Sequence, residues 1–294
     1  MTGILLVDKP EGTTSAGVIR ALKPRLGRMK VGHLGTLDPF ASGLLPLCLG
    51  EATKVARYLL IESKAYTGAI RLGKATDTLD RAGSCVETAP VPPLEQRRVD
   101  AVAAEFTGRR RQVPPMYSAL KRGGVPLYKL ARQGIEVERA PRDVEITCLS
   151  LVLREATEIE FAVECSKGTY VRVLAAEIGQ ALGTVAHLER LRRTRVGSFS
   201  VENATPLAVL QETEAALPVV PVRTGLGSYA AFEAPPESLL RLRRGQQDPL
   251  ARLPAPHALG QTALVVDGAG NVAAIIEAAG DRPAWRLVRL LAVP

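Results

Sequence analysis

Lys30–Gly50, KVGHLGTLDPFASGLLPLCLG, is the stretch on which the reading of this chain turns. Within it stand a single histidine, His33, and a single acid, Asp38. Pro39 follows the acid and biases Asp38 toward an extended or turn conformation. Gly32, Gly35 and Gly43 mark places where the backbone bends sharply or lies close to something else. Leu44–Leu49 is an apolar run that predicts a buried strand, with Pro46 a poor fit unless it sits at an edge or bulge. A lone carboxylate on a glycine-rich loop beside a core strand suits catalysis. It suits a turn cap equally, because Asp is a common turn residue.

Working outward, Gly3–Val7 predicts a first strand, followed by a turn over Asp8–Ser15. Ser15 is the expected N-cap of a helix over Ala16–Leu22. Lys9, in the turn, is open to three readings: a phosphate ligand, a buttress for the Asp38 loop, or a solvated lysine. Gly50–Leu60 predicts a helix with Val55, Leu59 and Leu60 turned inward. Lys64–Gly73 alternates like a strand and carries Tyr66, which in a strand is most often a packing residue. Asp77 and Asp80 suit turn caps, or the holding of an RNA-binding loop. Glu95–Phe106 predicts an amphipathic helix with Val99, Val102, Ala103 and Phe106 on one face.

Charge then rises. Arg109, Arg110, Arg111, Lys121, Arg122, Lys129 and Arg132 are interleaved with Tyr117 and Tyr128. Cations for phosphates and flat rings for unpaired bases compose an RNA-contacting segment. A solvated basic loop has the same composition. Ile159, Phe161, Val163 and Cys165 share one face of a half-buried strand. Thr169 is the expected N-cap of a helix whose stripe is Val171, Leu174, Ala175, Ile178 and Leu182, with Gly183 at C′. A short helix lies within Thr205–Glu214, and Pro218–Gly227 predicts a linker. Beyond it come a short basic helix over Ser238–Arg244, a hairpin within Ala263–Glu277 turning at Asp267–Gly270, and a last strand from Arg286.

The chain has 294 residues, enough for one large domain and a small one. A net charge of +8, carried largely by arginine, favours an anionic partner such as nucleic acid. Cys48, Cys85, Cys148 and Cys165 form no C-x-x-C pair and are expected mostly as buried thiols in a reducing compartment. With His33, His187 and His257 also dispersed, no metal site is expected. No signal segment or run of transmembrane length is present, so a cytoplasmic protein without membrane contact is expected. The sequence has no P-loop or dinucleotide fingerprint, and no cofactor is expected.

Several motifs together resemble the TruB family, the bacterial tRNA pseudouridine-55 synthases. VGHLGTLDPFASGLLPLCLG resembles that family's G-H-x-G-x-L-D-P-x-A-x-G-x-L-P signature. Further similar runs are D-K-P-x-G-x-[TS]-S at Asp8–Ser15, K-x-Y at Lys64–Tyr66, T-D-T-x-D at Thr76–Asp80 and Y-S-A-L-K at Tyr117–Lys121. Cys165–Arg172 resembles C-x-K-G-T-Y-[IV]-R, and Leu191–Arg193 resembles the leucine before R-R. The resemblance covers Gly3–Phe199 densely and the rest loosely.

The resemblance implies a mixed α/β pseudouridine-synthase catalytic domain over 1–225, with a central sheet and a cleft. An RNA-clamping insertion over about 107–142 belongs to it, and a small β-rich, PUA-like domain over 226–294 follows. It implies that Asp38 is the essential catalytic acid and Arg172 its partner. Tyr66 and Leu191 would flank the flipped uracil, Tyr170 would contact the base, and His33 would hold the tRNA loop open. The substrate implied is the T-arm of tRNA, worked on by a monomer without obligate protein partners. An arginine in a first helical turn is disfavoured by the dipole unless an anion faces it, which fits pairing with Asp38. Whether Asp38 attacks the sugar or base covalently or acts as a base at the ribose stays open. A tRNA-folding chaperone and a guide-RNA-dependent synthase are the other readings. A pure binder, however, has no use for an acid in a cationic cleft.

Overall fold

The computed structural model describes residues 1–280 and 284–292. The expected domain over 226–294 therefore extends partly outside the described residues. Apolar alternation lays down one large sheet. Its longer strands and the short β2, in chain order, are β1 (Gly3–Lys9), β2 (Val31–His33), β3 (Ser42–Leu49), β4 (Lys64–Leu72), β5 (Gly108–Gln112), β6 (Arg142–Glu155), β7 (Glu158–Cys165) and β8 (Ala186–Val196), and three two-residue strands complete it. Spatially they run β1-β3-β8-β4-β7-β6-β5, with β2 on β3. Every neighbour among these is antiparallel except β3 and β8, which run parallel. The sheet is thus mixed, as expected, and its two halves are joined where the Asp38 loop enters β3.

That junction is short. Only Arg192↔Ser42 and Arg193↔Gly43 pair across it. Gly43 is required there: its φ is +104°, and a Cβ would lie 2.3 Å from the Arg193 carbonyl oxygen. Pro46 sits inside β3 and not at an edge. Its carbonyl accepts from the Leu34 amide at 2.9 Å, so its nitrogen faces β2 and no β1 ladder bond is lost.

Helices α1 (Ser15–Ala21), α2 (Gln96–Phe106) and α3 (Val171–Ala181) are the ones that frame the site. Val99, Val102, Ala103 and Phe106 of α2 and Val171, Leu174, Ala175 and Ile178 of α3 pack on Ile70, Ile159, Phe161, Val163 and Leu188 of the sheet. These are the stripes that the 3.6-residue period predicts. The caps are different. Thr14, not Ser15, caps α1 by accepting from the Gly17 amide at 2.8 Å. Tyr170, not Thr169, is the cap residue of α3, and the Thr169 hydroxyl bonds the Ser166 carbonyl. In both cases the hydroxyl expected at the cap is drawn into another contact. Over Gly50–Leu60 a 3₁₀ turn, Gly50–Lys54, precedes a short helix, Ala56–Leu60, and Leu60 faces outward. Cys48 and Cys165 are buried, whereas Cys85 and Cys148 are exposed.

The C-terminal part forms a second, four-stranded sheet within residues 230–290, including the expected hairpin of Thr262–Val266 with Val272–Ala279. The segment read as a linker is built into the body: Val219–Val220 pairs antiparallel with β1, and Val222–Gly225 is helical. Its valines had no alternation to betray a strand. Leu264, Val272 and Ile275 of the C-terminal sheet and Leu291 just after it share one buried cluster with Ile4, Leu44, Val196 and Phe199. The two sheets therefore meet over apolar side chains. Among the described residues no helix is long and apolar enough to cross a membrane.

Candidate active site

The loop of Asp38 is fastened at several points before its carboxylate is considered. The Ser15 hydroxyl bonds both the amide of Leu37, at 2.9 Å, and its carbonyl, at 3.1 Å. The Gly12 amide donates to the Pro39 carbonyl at 2.8 Å. Lys9 is completely buried and donates to the carbonyls of Pro10, Thr13 and, at 3.4 Å, Pro39. Of its three readings, this position is that of a buttress. Burial pushes its ammonium down to about 8, against smaller upward pulls from Glu11 and Asp38. Leu37, Phe40 and Ala41 are buried beneath the loop. The carboxylate between them stays one-third exposed.

Arg172 reaches this carboxylate from the first turn of α3. Its Nε lies 2.9 Å from Asp38 Oδ2 and its Nη2 3.4 Å from Oδ1. Its Nη1 and Nη2 also donate to the carbonyls of Thr78 and Tyr117, each at 2.8 Å. Asp80 stands behind, its Oδ2 at 3.7 Å from Arg172 Nε. Burial raises the Asp80 pKa, while the Thr78 hydroxyl and Arg172 oppose the rise. Asp80 also accepts from Thr78 at 2.7 Å and from the Ala82 amide at 2.9 Å. A turn residue in sequence is thus a second carboxylate on the same guanidinium.

Asp38 and Arg172 open onto a cleft of about 360 Å³, whose lining includes Tyr66, Tyr170 and Leu191. Five of the seven candidates, Asp38, Tyr66, Tyr170, Arg172 and Leu191, therefore meet at one place. Tyr66 is buried in β4, and burial raises its phenol pKa. Gln112 clasps the backbone of Tyr170, accepting from its amide at 2.7 Å and donating to its carbonyl at 3.2 Å. Lys9 lies under the loop, outside the lining. His33 also lies outside it, on β2, with a buried Nδ1 that has no partner among the described residues. Burial, and then Arg193, lower its pKa.

Arg193, Lys64 and Ser118 also line the cleft and were not singled out by sequence. Arg193 is almost wholly buried and donates to the carbonyls of Leu44, Gly35 and Thr36, at 2.8, 3.1 and 3.4 Å. In the sequence it stands only as one arginine of the R-R pair after Leu191. A bulge in β8 between Leu188 and Arg190 turns Leu191 and Arg193 to the helix side and leaves Arg190 exposed. Period-two counting cannot see that shift. Lys64 had a signal, the K-x-Y spacing to Tyr66. Ser118 had one in the Y-S-A-L-K run. The rest of the basic segment does face outward: Arg109, Arg111, Lys121, Arg122, Lys129 and Arg132 are exposed, and Arg110 stacks over Phe106 at 3.8 Å.

Comparison with known proteins bears on this geometry. Residues 23–171 match the model of the TruB family pseudouridylate synthase N-terminal domain. Residues 172–217 match that of the tRNA pseudouridylate synthase B C-terminal domain. The tRNA pseudouridine synthase B of Burkholderia lata is 44% identical over 292 residues, covering 98% of this chain and 90% of that protein. That of Aromatoleum aromaticum is 49% identical over 232 residues, covering 79% and 73%. Among solved structures, one chain of a Cbf5-Nop10-Gar1 complex superposes with a TM-score of 0.75 at 25% identity, covering 98% of this chain and 84% of that one.

Proposed function

The chain belongs to the TruB family of pseudouridylate synthases, and from that premise we propose that it isomerises uridine-55 in the T-loop of tRNA to pseudouridine. The observation that carries the site assignment is the pairing of Asp38 with Arg172 at the mouth of a cleft lined by Tyr66 and Leu191.

The chemistry follows from that arrangement. A base in a folded tRNA loop must leave its stack to enter the cleft, at a cost of a few kcal/mol, about that of other flipped bases. Tyr66 and Leu191 offer flat and apolar contact to the ring, and Tyr170 adds a second aromatic edge. His33, on the neighbouring strand, is assigned to the place that the base vacates. Arg172 pairs with Asp38 and aims it, so the carboxylate can act on the ribose or base as nucleophile or base. The glycosidic bond from C1′ to N1 breaks, uracil turns, and C5 bonds C1′. C5 gives up its proton and N1 gains one, so reactant and product are isomers and the balance needs no redox partner.

The exposed cations of residues 109–132 fit the phosphates of the T-arm, and the small C-terminal sheet fits a PUA-like RNA-binding role. The domains are assigned to 1–225 and 226–294. A monomer working in the cytoplasm without obligate protein partners is the simplest form of such an enzyme. The relatives' shared name ranks this reading above the guide-RNA-dependent and chaperone readings.

The test is to incubate the protein and an Asp38→Asn variant with unmodified tRNA and map pseudouridine by carbodiimide primer extension. One modification in the T-loop by the wild type, and none by a variant that still binds, supports both enzyme and residue. Binding without modification by either protein returns the chaperone reading. Modification elsewhere retains the chemistry and moves the target.

A further inference from the structure

Charge in the cleft is unevenly compensated. Arg172 faces two carboxylates, Asp38 and Asp80. Lys64 and Arg193 line the same cleft, are both buried, and meet no carboxylate among the described residues. Their partners are backbone carbonyls: Leu60 and Glu62 for the Lys64 ammonium, at 3.2 and 2.7 Å, and Leu44, Gly35 and Thr36 for Arg193. Buried charge without an opposite charge is costly, and carbonyl dipoles offset only part of that cost. A pocket that keeps two such cations beside a neutral, uncharged base is built for something more negative than the base.

The reaction supplies it. In each route where Asp38 acts on the sugar, the C1′–N1 bond breaks with its electron pair moving onto uracil. The freed ring is then an anion, its charge spread over N1, O2 and O4, until C5 bonds C1′. Donors aimed at charge that exists only during the reaction accelerate it, whereas donors that grip the ground state do not. Two of the three Lys64 N–H bonds are taken by carbonyls, which leaves one for the cleft.

We propose that Lys64, backed by Arg193, stabilises the detached uracil anion by donating its third ammonium hydrogen to a ring carbonyl oxygen. This rests on the pseudouridine synthase reading above. Burial lowers the Lys64 pKa to about 8, and Arg193 and Lys167 act in the same direction, while Cys165 and Glu62 pull it up. Asp38, Tyr66, Tyr170 and Arg172 are the other titratable or charged groups lining the cleft. The ammonium is therefore charged at neutral pH and close enough to titration to be an effective donor.

The competing account is that Lys64 only ties down the turn at Leu60–Glu62. Single-turnover rates on saturating unmodified tRNA separate the two, measured for wild type, Lys64→Met and Lys64→Arg from about pH 6.5 to about pH 9.5. The expected result is a loss of about a hundredfold in rate for Lys64→Met with tRNA Kd nearly unchanged, and recovery to within about tenfold for Lys64→Arg. The wild-type rate falls as pH rises past about 8, and the arginine variant removes that fall. A Lys64→Met enzyme as fast as wild type overturns the proposal, as does a loss confined to Kd. A wild-type rate that stays flat to the top of the range also overturns it, even if Lys64→Met does not fold. A wild type that makes no pseudouridine overturns the function itself, which is a different outcome from an active wild type indifferent to Lys64.

Discussion

Arg172 Nε sits 2.9 Å from Asp38 Oδ2, joining residues 134 positions apart in the chain. The same guanidinium also holds the carbonyls of Thr78 and Tyr117. Lysine at this place keeps the charge but not the fork. Arg172→Lys is expected to lower the single-turnover rate by about a hundredfold or more and to reduce stability by roughly 1–3 kcal/mol. Rapid-quench kinetics on tRNA and urea melts measure the two effects. A variant within about threefold of wild type would show that charge alone suffices.

Gly43 lies against the Arg193 backbone at the seam of the two half-sheets. Gly43→Ala forces a methyl into the Arg193 carbonyl from a left-handed backbone. The expected cost is about 3 kcal/mol, with activity lost in step because the Asp38 loop enters β3 here. Thermal melts and the tRNA assay on the same preparation check it.

Lys9 gives a pH signature. Burial brings its ammonium down to about 8 in the folded chain, from the ordinary 10.5 of an exposed lysine. Between those values the unfolded chain holds more protons, so this group makes stability rise as pH climbs from about 8 to about 10.5. Below about 8 the contribution is absent. Urea unfolding of wild type and Lys9→Met at about pH 7.5 and about pH 9.5 should show wild type gaining on the variant at the higher pH, by on the order of 1 kcal/mol. A constant difference between the two proteins would refute the burial account.

The Ser118 hydroxyl is buried in the cleft wall and has no partner among the described residues. Ser118→Ala removes a polar atom that gains nothing in the free protein, so the melting temperature is expected to hold or rise. A concurrent drop in tRNA turnover would show that the hydroxyl is used by substrate.

The apolar contact between the two sheets predicts joint unfolding. Cutting the chain after Arg223 uncovers Ile4, Leu44, Val196 and Phe199, which share a cluster with Leu264, Val272, Ile275 and Leu291. The truncated protein is expected to aggregate or melt early, and the full chain to unfold in one calorimetric transition. Two well-separated transitions in the full chain would contradict this.

The sequence carried the periodic parts of the fold well. The stripes of α2 and α3 and the alternation of β7 appear as expected, because their neighbours lie at fixed offsets. Asp38, Tyr66, Tyr170, Arg172 and Leu191 were legible through long motifs. What was hidden depends on departures from period. Arg193 turns inward only because β8 is bulged, and Val219–Val220 becomes a strand only because β1 offers a free edge. Asp80 becomes part of the site through the fold of a turn onto α3, which no spacing announces. Ser15 and Thr169 failed as caps since their hydroxyls found tertiary partners or a closer carbonyl.

The bond from Arg172 Nη2 to the Tyr117 carbonyl ties the basic segment to the acid through a single cation. Under the proposed function, RNA grip and chemistry would share one guanidinium. A shift of Tyr117 on RNA binding would then alter what Arg172 has left to give Asp38. Reactivity can in this way report whether a strand is properly held. It also means that the segment is no interchangeable cassette: a redesign that retargets the chain by swapping residues around Tyr117 would retune Asp38, whether or not its author intended to.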